Sequence, residues 1–244
     1  PAAGASRPAP AVLYVHGGGW FIGDRQTAGM GANLAGQDGA LFVQLRRDLL
    51  ARGFVVATID YRLAPLHPWP AQLEDARCAV RFLRTHAGAL GLDPGRIGAW
   101  GSSAGGQLVA MLGTTGSRGD GLQAAVDMFG PTDLSSMSDS SAFGRFVFNV
   151  VFGRASAAER SAASPLTHVA PGDPPFLVLH GADDTLVPPR HSRELVDRLQ
   201  AAGVPAQLVL VARTGHSMAS PGQDPGSDAV AGMVADFFAR TLAR

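Results

Sequence analysis

An α/β fold with a mostly parallel central sheet and helices on both faces is predicted by three observations. Short apolar, β-branched segments alternate with amphipathic helical segments along the chain, the pattern that lays crossover helices over parallel strands. One strand-to-helix junction, Gly101-Ser102-Ser103-Ala104-Gly105, is a sharp turn with a serine at its apex. The chain has 244 residues, 46% hydrophobic and 16% charged, which suits one soluble domain, residues 1–244, with a sizeable core.

Charge excludes some classes of partner. Twenty basic residues, all arginine, balance twenty acidic ones, so nothing points to nucleic acid or to an anionic membrane surface. No apolar run approaches the ~18 residues of a bilayer span. The opening, Pro1-Ala2-Ala3-Gly4-Ala5-Ser6-Arg7-Pro8, reads as a flexible lead-in without a signal peptide, and a start at proline suggests a processed or truncated product. Cys78, the one cysteine, falls in a helical pattern and is expected to be a small buried residue; it fixes no compartment.

The elements follow in order. Ala11 to Val15 is a buried strand that runs into His16-Gly17-Gly18-Gly19-Trp20. Three consecutive glycines are entropically costly, and their use is to let amide N–H groups converge on one point. Residues 24–42, with Gly29, Gly31, Gly36 and Gly39, read as a loop; Leu45, Leu49 and Leu50 then mark a helix ending near Gly53. Phe54 to Ile59 is a strand, and 71–87 a helix with Leu73, Ala76, Val80 and Leu83 on one face. Asp93-Pro94-Gly95 is turn chemistry that delivers the strand before Ser103. Ala124 to Phe129 is a further strand. Residues 131–173 lack strand character and read as a small cap inserted over one edge, with an apolar cluster around Phe143, Phe146, Phe148 and Phe152 and capping-box spacing at Ser156 and Glu159. Phe176 to His180 is a strand, 190–202 a helix closed by Gly203, Ala206 to Val211 the last strand, and Asp228 to Leu242 a closing amphipathic helix.

A serine hydroxyl becomes a useful nucleophile only when a base takes its proton. Of seven histidines, His216 follows the last strand, on a loop at the carboxyl end of the sheet where ligands gather. The base in turn needs a carboxylate. Asp183 and Asp184, after the 176–180 strand, both qualify; Asp184 is preferred, and Asp127 and Asp133 are weaker alternatives one strand earlier. The order Ser103, Asp184, His216 is that expected of a triad on such a sheet. Amides of Gly18, Gly19 and Ala104 would supply the oxyanion donors, each worth roughly 2.7–4 kcal/mol. Trp20, Phe143, Phe146 and Met218 are candidates to line the substrate site.

With these residues in view, His16-Gly17-Gly18-Gly19-Trp20, Asp60-Tyr61-Arg62-Leu63-Ala64-Pro65, Gly101-Ser102-Ser103-Ala104-Gly105-Gly106, His180-Gly181-Ala182-Asp183-Asp184-Thr185-Leu186-Val187-Pro188 and Gly215-His216-Ser217 resemble the α/β-hydrolase superfamily. Within it they look like the HGGG-type carboxylesterases, the hormone-sensitive-lipase-like group and its bacterial feruloyl-esterase-like relatives. The resemblance implies that Asp184 is the triad acid and that Gly18 and Gly19 give oxyanion amides. Ser102 stands where lipase-like members carry Asp, and neither the large N-terminal cap nor the first two strands of that fold have a counterpart, which favours the small-capped, feruloyl-esterase-like branch. The expectation is a serine hydrolase of carboxylic esters, with short-chain or aromatic acyl groups, acting on a small molecule with neither metal nor organic cofactor. An amide, formamide or peptide hydrolase with the same triad, or a non-catalytic binder on the same scaffold, are the alternatives.

Overall fold

The computed structural model describes residues 8–26, 38–117, 119–136, 142–153 and 155–242, and within these the side chains of all but 38, 142–144 and 148. Six apolar segments form one parallel sheet: β1 (Ala9–Val15), β2 (Val55–Ile59), β3 (Leu92–Ser102), β4 (Ala124–Met128), β5 (Phe176–Gly181) and β6 (Ala206–Val211). The spatial order is β2-β1-β3-β4-β5-β6. The chain therefore steps outward once, from β1 to β2, then crosses back over β1 and advances the other way. Connections leave β1 and β3 in opposite directions, and a crevice opens at their carboxyl ends.

Side chains alternate across the sheet and build two cores. Leu13, Val15 and Ala99 face a layer made by α2 (Ala71–Thr85), α4 (Ala104–Thr115) and α7 (Arg190–Ala201). Val12, Tyr14 and Trp100 face α1 (Asp38–Ala51) and α8 (Ser227–Leu242). Both faces are covered, as the alternation of strands and helices predicts.

Several local expectations are corrected. The segment read as a loop as far as residue 42 is helical from Asp38, because Leu41 and Phe42 join Leu45 and Leu49 on one buried face. Gly29, Gly31 and Gly36 lie outside the described residues. Cys78 is exposed on α2 rather than buried; the face of that helix turned to the sheet is filled by Leu73, Ala76, Val80 and Leu83. The Asp93-Pro94-Gly95 turn is a bulge inside β3: pairing with β1 jumps from Ala9↔Leu92 to Ala11↔Ile97, and Asp93 Oδ1 accepts from the Gly95 amide at 2.8 Å. A short helix, α3 (Ala87–Leu90), follows α2 and ends at left-handed Gly91.

Between β4 and β5 the described residues contain α5 (Ala142–Phe152) and α6 (Ala157–Ala162). Ser156 caps α6 through the Glu159 amide, and the Glu159 carboxylate accepts from the Ser156 amide, so the capping box is formed. Among the described residues no helix is long and apolar enough to cross a membrane.

Candidate active site

Ser103 sits between β3 and α4 with φ 54° and ψ −120°, a conformation that costs a side-chain-bearing residue about 1–3 kcal/mol. Close packing holds it there. A Cβ on Gly105 would lie 2.1 Å from the Val15 carbonyl oxygen, and one on Gly101 would lie 2.4 Å from the carbonyl carbon of Gly105. The start of α4 thus rests directly on β1 and β3. The Ser103 amide donates to Met128 O at 2.9 Å, which pins the turn to the end of β4.

Two loops bring partners to the hydroxyl. His216, after β6, places Nε2 2.8 Å from Ser103 Oγ and Nδ1 2.7 Å from Asp184 Oδ2. A carboxylate can only accept, so Nδ1 carries the proton and Nε2 is free to accept from the serine. The edge of Phe129 closes one side of the imidazole, with centroids 4.7 Å apart. Asp184 has a fully buried side chain. Its Oδ1 accepts from the amides of Leu186 and Val187 at 2.8 and 2.9 Å. Burial pushes its carboxyl upward, but hydrogen bonds from His180 and His216, the His216 charge and the Val187 amide outweigh this and hold it well below the usual carboxylate range. Asp183, its neighbour, is exposed.

The triple glycine closes over the serine. Gly18 and Gly19 have φ of 104° and 60°, and Gly17 Cα lies against Ser103, since an added Cβ would stand 3.5 Å from Ser103 Cβ. Among the described residues, the amides of Gly18, Gly19 and Ala104 have no protein acceptor. The loop is tied down from beneath: Tyr61 Oη donates to the carbonyls of His16 and Gly17 at 3.0 and 3.1 Å, and the His16 ring stacks on Tyr61 at 4.1 Å. Burial lowers the His16 pKa, which keeps that ring neutral. From the side, Trp20 Nε1 donates to Gln107 Oε1 at 3.1 Å, and Gln107 Nε2 donates to Ala163 O at 2.8 Å. Tyr61 belongs to the Asp60-Tyr61-Arg62-Leu63-Ala64-Pro65 segment, but nothing local reports its hold on the loop; Gln107 carries no signal beyond its place in the helix.

The residues expected to line the substrate site fare differently. Trp20 is only 4% exposed, with its ring edge-on to Phe152 at 5.6 Å, so it anchors the loop rather than flanking a ligand. Met218 is fully buried beside Tyr14, Phe42, Trp100 and Phe129, and so presents no surface to a substrate. Phe146 is 56% exposed and stands edge-on to Phe21 at 6.4 Å. The side chain of Phe143 lies outside the described residues.

Parallel strands in this order, a serine elbow after the third and carboxylate and imidazole loops after the fifth and sixth define an α/β-hydrolase. Comparison with known proteins gives the same class. A family model, BD-FAE, matches residues 1–199. Esterase LipC of Mycobacterium tuberculosis is 32% identical over 212 residues, covering 80% of this chain and 49% of that protein. A truncated carbohydrate esterase from gut microbiota has the same fold with a TM-score of 0.79 at 25% identity, over 98% of this chain and 88% of that one. The propionate-bound esterase Est2 of Thermogutta terrifontis gives 0.75 at 25% identity, over 98% and 86%. The chain belongs to the BD-FAE family, within the α/β-hydrolase fold. It spans about half the length of the curated relatives it matches.

Proposed function

We propose that this chain hydrolyses carboxylic esters of small molecules through an acyl-serine intermediate. Ser103 Oγ adds to the ester carbonyl carbon while its proton passes to His216 Nε2. Asp184 holds the imidazole in the Nδ1–H tautomer and stabilises the imidazolium. The oxyanion meets the amides of Gly18, Gly19 and Ala104, at the N-terminus of α4, where the helix dipole also favours negative charge. When the tetrahedral species collapses, His216 Nε2–H protonates the departing alcohol oxygen and leaves an ester on Ser103. Water, deprotonated by the same nitrogen, then releases the acid.

The single observation that carries the proposal is the continuous alignment Ser103 Oγ–His216–Asp184, at 2.8 and 2.7 Å. A short acyl group is favoured by the likeness to a propionate-bound esterase and a carbohydrate esterase. Residues 131–173 act as a small cap. In support, a Cβ on Gly19 would stand 3.1 Å from Val147 of α5, and Trp69 N donates to Val151 O at 3.2 Å, so α5 lies over the glycine loop.

Ser103→Ala should lower turnover of p-nitrophenyl acetate by about 10³-fold or more with an unchanged circular dichroism spectrum. A fluorophosphonate should add to the unaltered chain and not to the variant. Retained turnover in the variant would overturn the assignment.

A further inference from the structure

The loop that presents Asp184 is wound around a second imidazole, which the reaction above does not use. His180, the penultimate residue of β5, is fully buried. Its Nε2 lies 2.8 Å from Val187 O and 3.3 Å from Asp184 Oδ2; its Nδ1 lies 2.6 Å from Ser192 Oγ on α7. A carbonyl can only accept, so Nε2 bears a proton, donated to Val187 O, with Asp184 Oδ2 within ion-pair distance of the same nitrogen. In the neutral ring, Nδ1 then accepts from the Ser192 hydroxyl. Asp184 Oδ2 therefore accepts from His216 and has the protonated His180 Nε2 beside it at 3.3 Å, while Oδ1 receives two amides.

We infer that His180 is a positioning residue for the Ser103–His216–Asp184 array: its Nε2–H fixes the Asp184 carboxylate and limits how strongly Oδ2 holds the proton on His216 Nδ1. The significance rests on the esterase reading; the geometry does not. The ionisable groups facing His180 are Asp184 on its own loop, Asp127 on β4 and His191 on α7, with Arg190 and Asp133 beyond His191. His191 is kept neutral by burial, its pKa pushed down to about 4. Without the His180 donor, Oδ2 becomes a stronger acceptor for His216, the imidazolium gains stability and its pKa rises. The less constrained carboxylate also orients His216 less well. Because His180 reaches the substrate only through two other residues, kcat should change and KM should not.

The test is nitrogen-15 NMR of the histidine-labelled chain across a pH titration, which needs no substrate. His180 should carry a proton on Nε2 throughout, and that resonance should move as His216 titrates. In His180→Leu the His216 pKa should rise by about half a unit or more. Turnover should fall about tenfold, about 1.4 kcal/mol of barrier, at constant KM. His180→Gln, which keeps an N–H donor, should recover most of both. A bare Nε2 on His180, or an Nε2–H resonance indifferent to the His216 titration, overturns the inference in the unaltered chain even if His180→Leu does not fold. So does an unshifted His216 in folded variants whose melting temperature alone has dropped. A chain that hydrolyses no ester overturns the proposed function and leaves the titration to decide the role of His180.

Discussion

Trp20 has φ 63°, a strained angle for a bulky side chain, and the strain is offset by what its ring reaches. The indole packs edge-on to Phe152 and donates to Gln107, which in turn holds Ala163, so one side chain joins the glycine loop to α4 and to the end of α6. Trp20→Phe keeps the ring but orphans Gln107 Oε1 in a buried site. It should cost about 1–3 kcal/mol of stability in urea denaturation, and lower kcat more than it raises KM, because the loop amides lose their anchor. Sequence proximity to the glycines suggests a ligand contact for Trp20, as a place just past the His216 loop does for Met218. Neighbours along a chain share a loop; which way a ring or thioether points is set by the packing space around it. Asp184 is buried whereas its neighbour Asp183 is exposed, a difference that adjacency in sequence does not report.

At the scale of elements, the elbow is a contact between α4 and two strands as much as a turn. Gly105 leaves no room: besides Val15 O at 2.1 Å, an added Cβ would stand 2.5 Å from His16 O, and both neighbours are backbone. Gly105→Ala must push α4 off β1, and should cost about 3 kcal/mol or more and abolish ester turnover; melting by circular dichroism and a p-nitrophenyl acetate assay measure the two effects. A variant that melts and turns over like the parent would show that α4 is not seated as described. The strands and long helices were legible because their periodicity reports the faces they bury. α1 was read too short because glycine-rich sequence before Leu45 resembles a loop, whereas Leu41 and Phe42 gain enough by burial to extend the helix. The capping box at Ser156 needed only local spacing, and it formed as read.

The whole molecule converges its functional loops at the reversal between β1 and β3, and crowds ionisable groups beneath them. Asp127, fully buried on β4, accepts from the Gly130 amide with Oδ1 and has no partner for Oδ2 among the described residues. Burial raises its pKa to about 6, against the Gly130 amide and the His180 field, which lower it. The folded state therefore binds this proton more tightly than the unfolded chain does. Its contribution is favourable at low pH and is lost as pH rises from about 4 through about 6, a change of about 3 kcal/mol. Asp127→Asn removes the titration, so the melting temperature of the variant relative to the parent should increase between about pH 4 and about pH 8. A difference independent of pH would show that Asp127 does not titrate in this window. By itself the sequence determined the strand-helix alternation, the order serine, carboxylate, histidine and the need for glycines beside the serine, because each is a local pattern or a matter of chemical type. Only the tertiary structure decided that Trp20 and Met218 turn inward, that Tyr61 and Gln107 tether the glycine loop, and that the His180 imidazole lies beside the Asp184 carboxylate. Those depend on distances between segments up to about two hundred residues apart, which no local pattern encodes.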